Sequence, residues 1–472
     1  MTRRDIVKGI MGSLRQLFEK RPLNCDYIFG ILSDSFGLLD YEKHISILVR
    51  RQERLDSDMG AWSEFISFPK GNEAPLATAE TILALASFAG KAEVKSALKR
   101  ACRFLIQSQH GDGGWDDLSG EHPVNDATGC VIAALSKAQK LNISVVPTKT
   151  LENGVSFLLS QQNSDGGWGT VKDEESKMHY TYFALMGLSC CKGMISNAVK
   201  EKVKKAIENG VEWINNNSHK NDDEGIGLSQ ESASSPVATA LAIMSLSETG
   251  RTKLIKAKWI DFIKKTRKNG GWEDVSDSSM VHGVRRTYDF RGIPWIVEVL
   301  VRNGEPLDSD VVAGGLRELK KYELATGGFV RDIGDTNPVV WFTAWSIRLM
   351  HILRRELSNN LKMYVDNSIK KSAELKRKVE NYERETRLEK NLISFFALSY
   401  TILVFVVTYL LFLVTSSLHG KLFWYSFLVI SLFVLEITTA YYWFKRGKLN
   451  TFRGFILALA STAIGIFFGL VG

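Results

Sequence analysis

The sequence has few cysteines, and their spacing excludes the sites that cysteine pairs build. Five occur in 472 residues, an odd number with no C-x-x-C pair, at Cys25, Cys102, Cys130, Cys190 and Cys191. We therefore expect no disulfide framework, and a reducing compartment fits this usage best. The cysteines also show no paired spacing with histidines, so neither a metal site nor a cofactor is predicted.

Two further signals are missing from the sequence. No nucleic-acid-binding motif accompanies the net charge of +8, which is concentrated in Lys-rich amphipathic helices, the amino-terminal segment and the region after Leu353. This distribution favours an anionic membrane surface as the partner and excludes nucleic acid. The amino terminus lacks the apolar core of a secretory signal. Residues 1–35 instead have the spacing of an amphipathic helix, which either packs on the following domain or lies on a membrane surface.

What the sequence does contain is an internal repeat. Gln109–Trp115 and Gln162–Trp168 both read Gln-x-x-Asp-Gly-Gly-Trp, and related copies recur about every fifty residues. The shorter copies are Gly60–Trp62, Gly225–Gly227, Gly270–Trp272 and Gly327–Phe329. Paired glycines allow the left-handed turn that ends a helix, and the indole can cover that turn. Six copies therefore predict six helical hairpins.

Two kinds of helix alternate between these copies. The helices that follow the motif are apolar nearly all round and should be buried: 77–89, 128–138, 180–191, 236–247, 291–301 and 339–353. Those between them are amphipathic and Lys-rich and should lie outside, including 93–109, 148–162, 199–216 and 254–266. Six pairs with apolar inner members favour a ring closed on itself. An open solenoid is the alternative, but it needs capping repeats, which the sequence does not show.

These repeats resemble those of a known family. The motif copies, followed by inner helices such as Ala77–Leu85, are similar to the repeat of the squalene/oxidosqualene cyclase and protein prenyltransferase β-subunit superfamily. The resemblance covers about Tyr41 to Leu353. It implies an all-α domain, an (α/α)6 toroid of six helical hairpins, which we assign to residues 36–353.

The resemblance also implies where chemistry would lie. Class II terpene cyclases of this family carry Asp-x-Asp-Asp-Thr before one inner helix, and the middle Asp protonates an alkene or epoxide while aromatic faces hold the carbocation. Two stretches approach that pattern, Pro123–Thr128 and Asp332–Thr336. Asn125 and Gly334 stand where the proton donor should be, and neither can protonate an alkene. Whether this chain is an enzyme is therefore open at the level of sequence.

The candidate site residues follow from the same alignment. The acids that could replace the missing donor are Asp126, Asp289, Asp332 and Asp335. Asp126 and Asp335 have an alternative interpretation as helix N-caps, and Asp289 could pair with neighbouring arginines. Residues expected to bind a ligand at the mouth of the ring are His122, Asn125, His179, Tyr180, His282, Tyr288, Arg291 and Trp341. Aromatic residues of the inner helices either line a cavity or pack the core; they are Tyr182, Phe183, Trp295, Trp341, Phe342 and Trp345.

Two other activities of six-hairpin toroids find less support. Protein prenyltransferases hold zinc with Asp, Cys and His and need a separate α partner, and no matching ligand set is visible here. Glycosidases need two carboxylates across a cleft. Asp117 with Glu121, or Asp332 with Asp335, could supply such a pair, but their spacing does not select them.

The end of the chain changes character. Residues 354–391 are highly charged, without proline or glycine, and predict a long exposed helix through which a homo-oligomer could form. Residues 392–472 contain three apolar segments long enough to be membrane spans, at 392–417, 422–444 and 455–472. Basic residues before the first span and between the second and third predict a cytoplasmic toroid and an outer carboxyl end. Glu436 lies within the second span and could pair there or with lipid headgroups.

Two functions are compatible with these features. The first is a membrane-anchored, terpenoid-cyclase-like enzyme that acts on an isoprenoid or other lipid from the bilayer. The second is a non-catalytic toroid that binds a lipid or protein ligand and couples it to the membrane helices.

Overall fold

The computed structural model describes residues 41–66, 72–117, 122–217, 224–281, 284–307 and 309–356, with isolated positions between 359 and 406. Contacts divide the chain into two compact units, Met1–Arg354 and Arg355–Gly472. The helical hairpins belong to the first unit.

Six hairpins form as the repeat predicts. The outer helices are α1 (Tyr41–Arg50), α3 (Ala92–Gln107), α5 (Thr148–Gln161), α7 (Asn197–Asn217), α9 (Ala257–Lys265) and α11 (Asp310–Lys320). The inner helices are α2 (Pro75–Leu85), α4 (Asn125–Lys140), α6 (Met178–Cys191), α8 (Pro236–Glu248), α10 (Ile293–Arg302) and α12 (340–356). The assignment of inner and outer members is confirmed, with boundaries shifted by a few residues.

Burial separates the two kinds of helix because their apolar surfaces differ. In α6 every residue from Met178 to Leu188 is buried, whereas α7 buries a stripe and exposes its lysines. Inner helices also approach each other closely. A Cβ atom at Gly129 would lie 2.2 Å from the carbonyl oxygen of Phe183, so α4 and α6 can pack at this distance only with glycine there.

The motif joins neighbouring hairpins as well as ending a helix. Gly113 has φ 96°, the left-handed conformation that the turn requires. The Gln109 side chain donates to the Gly113 carbonyl at 2.8 Å and to the Thr150 carbonyl of the next outer helix at 2.9 Å. The Trp115 indole donates to the Leu105 carbonyl at 2.7 Å, which satisfies one free carbonyl at the end of α3.

The sixth hairpin returns to the first, so the ring is closed. The Val340 amide donates to the Glu64 carbonyl at 2.8 Å. His44 of α1 accepts from the Gly328 amide at 2.8 Å, and its other ring nitrogen lies 3.1 Å from Glu323. The His44 side chain is fully buried in this junction. Of the two architectures that the repeat allowed, the structure therefore has the closed ring and not the open solenoid.

The described residues depart from the all-α expectation at three strand pairs, within a fold that is mainly helical. β3 (Val275–Val281) and β4 (Val284–Phe290) form an antiparallel hairpin that pairs Val275 with Phe290 and Val281 with Val284. Valine, threonine and aromatic residues in this segment favour strands. The Lys177 ammonium group donates to the Ser278 carbonyl at 3.2 Å, so the hairpin from the fifth repeat reaches the third. Shorter strand pairs link β1 (Glu53–Arg54) with β2 (Gly60–Ala61), and β5 (Phe329–Val330) with β6 (Pro338–Val339).

Several predicted segments lie outside the described residues. They are the amphipathic region 1–35, most of the charged segment 354–391, and nearly all of the three predicted spans with Glu436. Among the helices that are described, none is both long and apolar enough to cross a bilayer.

Candidate functional site

Each of five inner helices contains a threonine that fixes the position of the helix, along the ring axis, relative to the motif before it. The threonine hydroxyl accepts a hydrogen bond, at 2.9–3.0 Å, from the backbone amide of the motif's tryptophan or of the residue in the equivalent place. The pairs are Thr78 with Trp62, Thr128 with Trp115, Thr181 with Trp168, Thr239 with Ile226, and Thr343 with Phe329. Residues at the same distance from these threonines therefore lie at similar heights along the ring axis.

Counting from these threonines sorts the inward side chains into layers, since steps of three and four residues follow one helix face. The mouth layer, two residues before, contains Leu76, Asp126, His179, Val237 and Trp341. The second layer, two residues after, contains Glu80, Cys130, Phe183, Leu241 and Trp345. The third layer, five residues after, contains Leu83, Ala133, Met186, Met244 and Arg348. Successive layers from the mouth are about 6 Å and 4.5 Å apart at the rise of an α-helix.

Two aromatic side chains of the second layer meet across the hub, the region that the inner helices enclose. Trp345 of α12 lies 6.3 Å, between ring centroids, from Phe183 of α6, which is three inner helices away around the ring. Trp345 also meets Trp295 of α10 edge to face at 5.5 Å, and its indole donates to Glu80 of α2 at 2.8 Å. All four side chains are at most 6% exposed. Groups from opposite sides of the ring thus close its axis directly below the mouth.

An ionic network occupies the third layer. The Arg348 guanidinium makes two bonds to Glu298, at 2.8 and 3.1 Å, and lies 3.5 Å from Glu248. It also lies 5.0 Å from the Trp345 ring centroid, where the aromatic face attracts its charge. Further from the mouth, the ammonium of Lys137 donates to the Leu83 carbonyl at 2.8 Å, and burial lowers its pKa to about 8. These groups make the base of the hub polar and crosslinked.

Asp126 is the buried acid of the mouth layer. It is 3% exposed, and burial, followed by the charge of Asp117, raises its pKa to about 7. The helix N-cap is Val124, so Asp126 is not the cap that its position suggested; it lies in the first turn, where the backbone amides of Ala127 and of Asp126 itself act to lower its pKa. Those amides stabilise its anion, while burial keeps its proton near neutral pH. Both properties suit a proton-bearing group.

Asn125, at the position of the family's proton donor, faces the loop of the next repeat. Its backbone N–H donates to the Thr170 carbonyl, and its side-chain nitrogen donates to the Gly169 carbonyl, each at 2.9 Å. The side chain is fully buried. The amide therefore positions the loop at residues 169–170 beside Asp126.

A second buried acid, Glu80, was not among the predicted site residues. Burial raises its pKa to about 8, the bond from Trp345 opposes this, and the charges of Asp126 and Glu64 add to it. Burial also raises the pKa of Glu64, although Arg331 opposes the shift. The signal that could have found Glu80 is its isolation, since it is the one charged residue in the otherwise apolar segment Pro75–Leu85.

His179 and Tyr180 are buried at the start of α6. Their ring centroids lie 3.6 Å apart, and neither residue is exposed. Burial, followed by the charge of Lys177, holds the pKa of His179 well below its usual value. His179 is therefore neutral at physiological pH and adds no positive charge to the mouth layer.

The other predicted acids occupy different surroundings. Asp332 is exposed and its pKa is lowered by Arg331 and Arg291, so it is an ionised surface group and does not suit proton donation. Asp335 is also exposed and accepts from the Asp332 amide at 3.3 Å in a turn, before α12 begins. It is therefore not the N-cap of that helix. Of the candidate acids with described side chains, only Asp126 is buried.

The remaining mouth candidates are dispersed. Arg291 bonds Asp274 and Asp332 at 2.6 Å each and lies 4.6 Å from the Tyr322 ring centroid. His122 is exposed, whereas Trp341 is half-buried beside Phe342. Tyr288 and Asp289 belong to strand β4, and His282 lies outside the described residues.

The side chains that could bind a metal ion are those of His, Cys, Asp and Glu. Where the chain is described, no three His, Cys, Asp or Glu side chains are grouped to hold a metal ion. Cys102, Cys130, Cys190 and Cys191 are free thiols, and burial raises the pKa of Cys102 to about 12.

Six hairpins closed around an acid-bearing hub define an α/α toroid. The chain belongs to the family described as the prenyltransferase alpha-alpha toroid domain, whose model matches residues 32–218 and 174–329. This confirms the superfamily that the repeat indicated.

Two curated relatives match shorter stretches. Squalene–hopene cyclase of Zymomonas mobilis is 27% identical over 200 residues, which cover 36% of this chain and 28% of that enzyme. Protostadienol synthase A of Arthroderma gypseum is 29% identical over 133 residues, or 26% of this chain and 16% of that enzyme. The matched stretches thus span less than a third of either relative.

Among solved structures, cellobiose 2-epimerase from Spirochaeta thermophila superposes with a TM-score of 0.50 at 12% identity. The match covers 70% of this chain and 98% of the epimerase. At this identity the likeness concerns the fold alone.

Proposed function

We propose that this chain is a membrane-anchored toroid that binds the polar end of an isoprenoid or other lipid at the mouth of its hub, without cyclising it. The observation that carries the proposal is the contact between Phe183 and Trp345 across the ring. Since it closes the axis below the mouth layer, a long isoprenoid chain cannot enter the hub unless Trp345 moves. The proposal therefore places the ligand at the mouth layer above this contact.

The residue at the donor position supports binding over cyclisation. Class II chemistry needs a carboxylic acid that is protonated yet strongly acidic. Asn125 is an amide, and its side chain is engaged with the Gly169 carbonyl. The neighbouring acid, Asp126, keeps its proton mainly because it is desolvated, which makes it a weak donor toward an alkene.

The membrane enters the proposal through the sequence after residue 391. Three apolar segments and the basic residues around them predict a multi-pass anchor with the toroid on the cytoplasmic side. A toroid held there meets lipids at high local concentration. A homo-oligomer through residues 354–391 remains a prediction.

The experiment uses the full-length protein in lipid nanodiscs. We expect incubation with squalene and with geranylgeraniol to yield no cyclised product by gas chromatography and mass spectrometry, while native mass spectrometry detects a retained lipid. The variant Asn125→Asp restores an acid at the donor position and tests whether the missing group alone prevents catalysis. Cyclised product from the unaltered protein would overturn the proposal.

A second candidate is a proton-transfer enzyme that uses Asp126, and the buried acid pair favours it. Burial raises the pKa of both acids, and the charge of Asp126 adds to the rise at Glu80, beside the aromatic rings of the second layer. This candidate predicts a product that Asp126→Asn abolishes and that the surface control Asp335→Asn leaves unchanged. A product profile equal in both variants would exclude Asp126 as its source.

A further inference from the structure

Three buried polar atoms at the mouth have no hydrogen-bond partner within the described part of the chain. They are the side-chain oxygens Asn125 Oδ1, Asp126 Oδ1 and Thr170 Oγ1. Asn125 and Thr170 are fully buried and Asp126 is 3% exposed. Buried polar groups in folded proteins are nearly always satisfied, so a cluster of unsatisfied ones indicates a place where a ligand or water completes the site.

Hydrogen bonds join the two segments that carry these atoms. The Asn125 amide donates to the Thr170 carbonyl, and the Asn125 side-chain nitrogen donates to the adjacent Gly169 carbonyl. The second bond also fixes the orientation of the amide, because its nitrogen must face the carbonyl and its oxygen must face away. Asp126 follows directly and belongs to the inward mouth layer.

The three atoms favour a ligand that donates hydrogen bonds. An amide oxygen can only accept, a threonine hydroxyl can accept or donate, and a carboxyl group accepts when it is ionised. The start of α4 would ordinarily attract an anion through its free amides. Here the amides of Asp126 and Ala127 already stabilise the Asp126 carboxylate.

The acidic side chains around the same place disfavour an anionic head group. Asp117 acts on Asp126, and Asp126 and Glu64 act on Glu80, so several carboxyl groups share this side of the mouth. A phosphate would add negative charge among them at short range. The Lys177 ammonium, whose charge acts on His179 of the mouth layer, donates to the Ser278 carbonyl of the β3–β4 hairpin.

We infer that the mouth site formed by Asn125, Asp126 and Thr170 binds a hydrogen-bond-donating head group without negative charge, a hydroxyl or an ammonium, and rejects a phosphate. The inference rests on the proposed binding function and specifies its ligand class. The Thr170 hydroxyl, which has no hydrogen-bond partner among the described residues, is thereby assigned to ligand binding.

Three probes with one tail test the head group: farnesol, farnesylamine and farnesyl monophosphate. Their dissociation constants are measured with the full-length protein in nanodiscs of neutral lipid, and empty nanodiscs give the background. We expect farnesol or farnesylamine to bind at least tenfold more tightly than the phosphate. Thr170→Val, which keeps the side-chain shape, should weaken that binding about tenfold. The control Thr249→Val changes a hydroxyl bonded to the Ser245 carbonyl at the far end of α8 and should not alter it.

The possible results distinguish a failure of this inference from a failure of the proposed lipid-binding function. Phosphate binding that equals or exceeds that of the other probes, or equal affinities in the two threonine variants, would overturn the inference while lipid binding stands. Binding of none of the three probes would overturn both. Circular dichroism of Thr170→Val shows that any loss of binding does not come from unfolding.

Discussion

Replacing Trp345 with alanine tests whether the hub is packed shut. The indole contacts Phe183 and Trp295 and donates to Glu80, while the Arg348 guanidinium lies over its ring. Removing a buried tryptophan leaves a cavity that costs about 3–5 kcal/mol. The lost hydrogen bond and cation–π contact add about 1 kcal/mol. We therefore expect a loss of about 4–6 kcal/mol.

Thermal unfolding of the full-length protein in nanodiscs, followed by tryptophan fluorescence, measures this loss. At about 2.1 cal/mol/K per residue for a domain of roughly 310 residues, the midpoint should fall by about 6–9 °C. Indole added at ten times its dissociation constant should refill the cavity and restore about 1.4 kcal/mol. Trp341→Ala is the matched control. Its side chain is half-buried in the mouth layer, so its loss should cost about 1–2 kcal/mol, with no rescue by indole.

The reasoning fails if Trp345→Ala is no more destabilising than Trp341→Ala and indole stabilises neither variant. That result would mean that the axis of the hub is open in solution. A lipid chain could then enter it, and the argument for binding at the mouth would lose its main support.

Three further predictions concern single hydrogen bonds and buried charge. Thr170→Val should leave thermal stability unchanged or raise it by about 1 kcal/mol, because Oγ1 has no described partner, whereas Thr128→Val breaks the bond to its motif and should cost about 1–2 kcal/mol. Glu80 has a pKa of about 8 in the folded protein and 4.5 as its ordinary value, so its contribution is present below pH 4.5 and is lost as pH rises toward 8. Glu80→Gln should therefore flatten the fall in stability across this window, measured by unfolding at several pH values. His44→Ala removes the acceptor of the Gly328 amide, whose hydrogen exchange should accelerate, with a destabilisation of about 2 kcal/mol.

The controls for these predictions are also in the chain. Thr128→Val must destabilise where Thr170→Val does not, and equal effects would contradict the hydrogen-bond assignment. An Asp335→Asn variant, changed at an exposed acid, should keep the wild-type pH dependence that Glu80→Gln loses. If the Gly328 amide exchanges equally fast with and without His44, the ring is not held at that bond.

The repeat was predictable because its residues act locally. Gly113 has the left-handed conformation, and Gln109 and Trp115 bond the ends of adjacent helices, so the motif and its period determine where each hairpin begins. The all-round apolar character of the inner helices determines which member is buried. From these two features the toroid follows, and closure is the consequence of six copies.

The contents of the hub were not predictable in the same way. Whether Phe183 and Trp345 line a cavity or meet across it depends on the ring diameter and on side chains three helices apart. Isolated charges in apolar inner helices were the available signal, since Glu80, Glu298 and Arg348 all prove to be interior groups with specific bonds. Strand β3 was not predicted, since its serines and aspartate lack the strand preference of valine and aromatic residues.

Ring closure has a mechanical consequence for whatever follows the toroid. Tyr41 on the first helix and Arg354 on the last are in contact, with the guanidinium 5.4 Å from the tyrosine ring centroid. The polypeptide therefore enters and leaves the ring at one seam. A pulling force on the chain beyond Arg354 would act first on that seam, peeling the last helix from the first before it loads any of the motif-linked joints between the other hairpins.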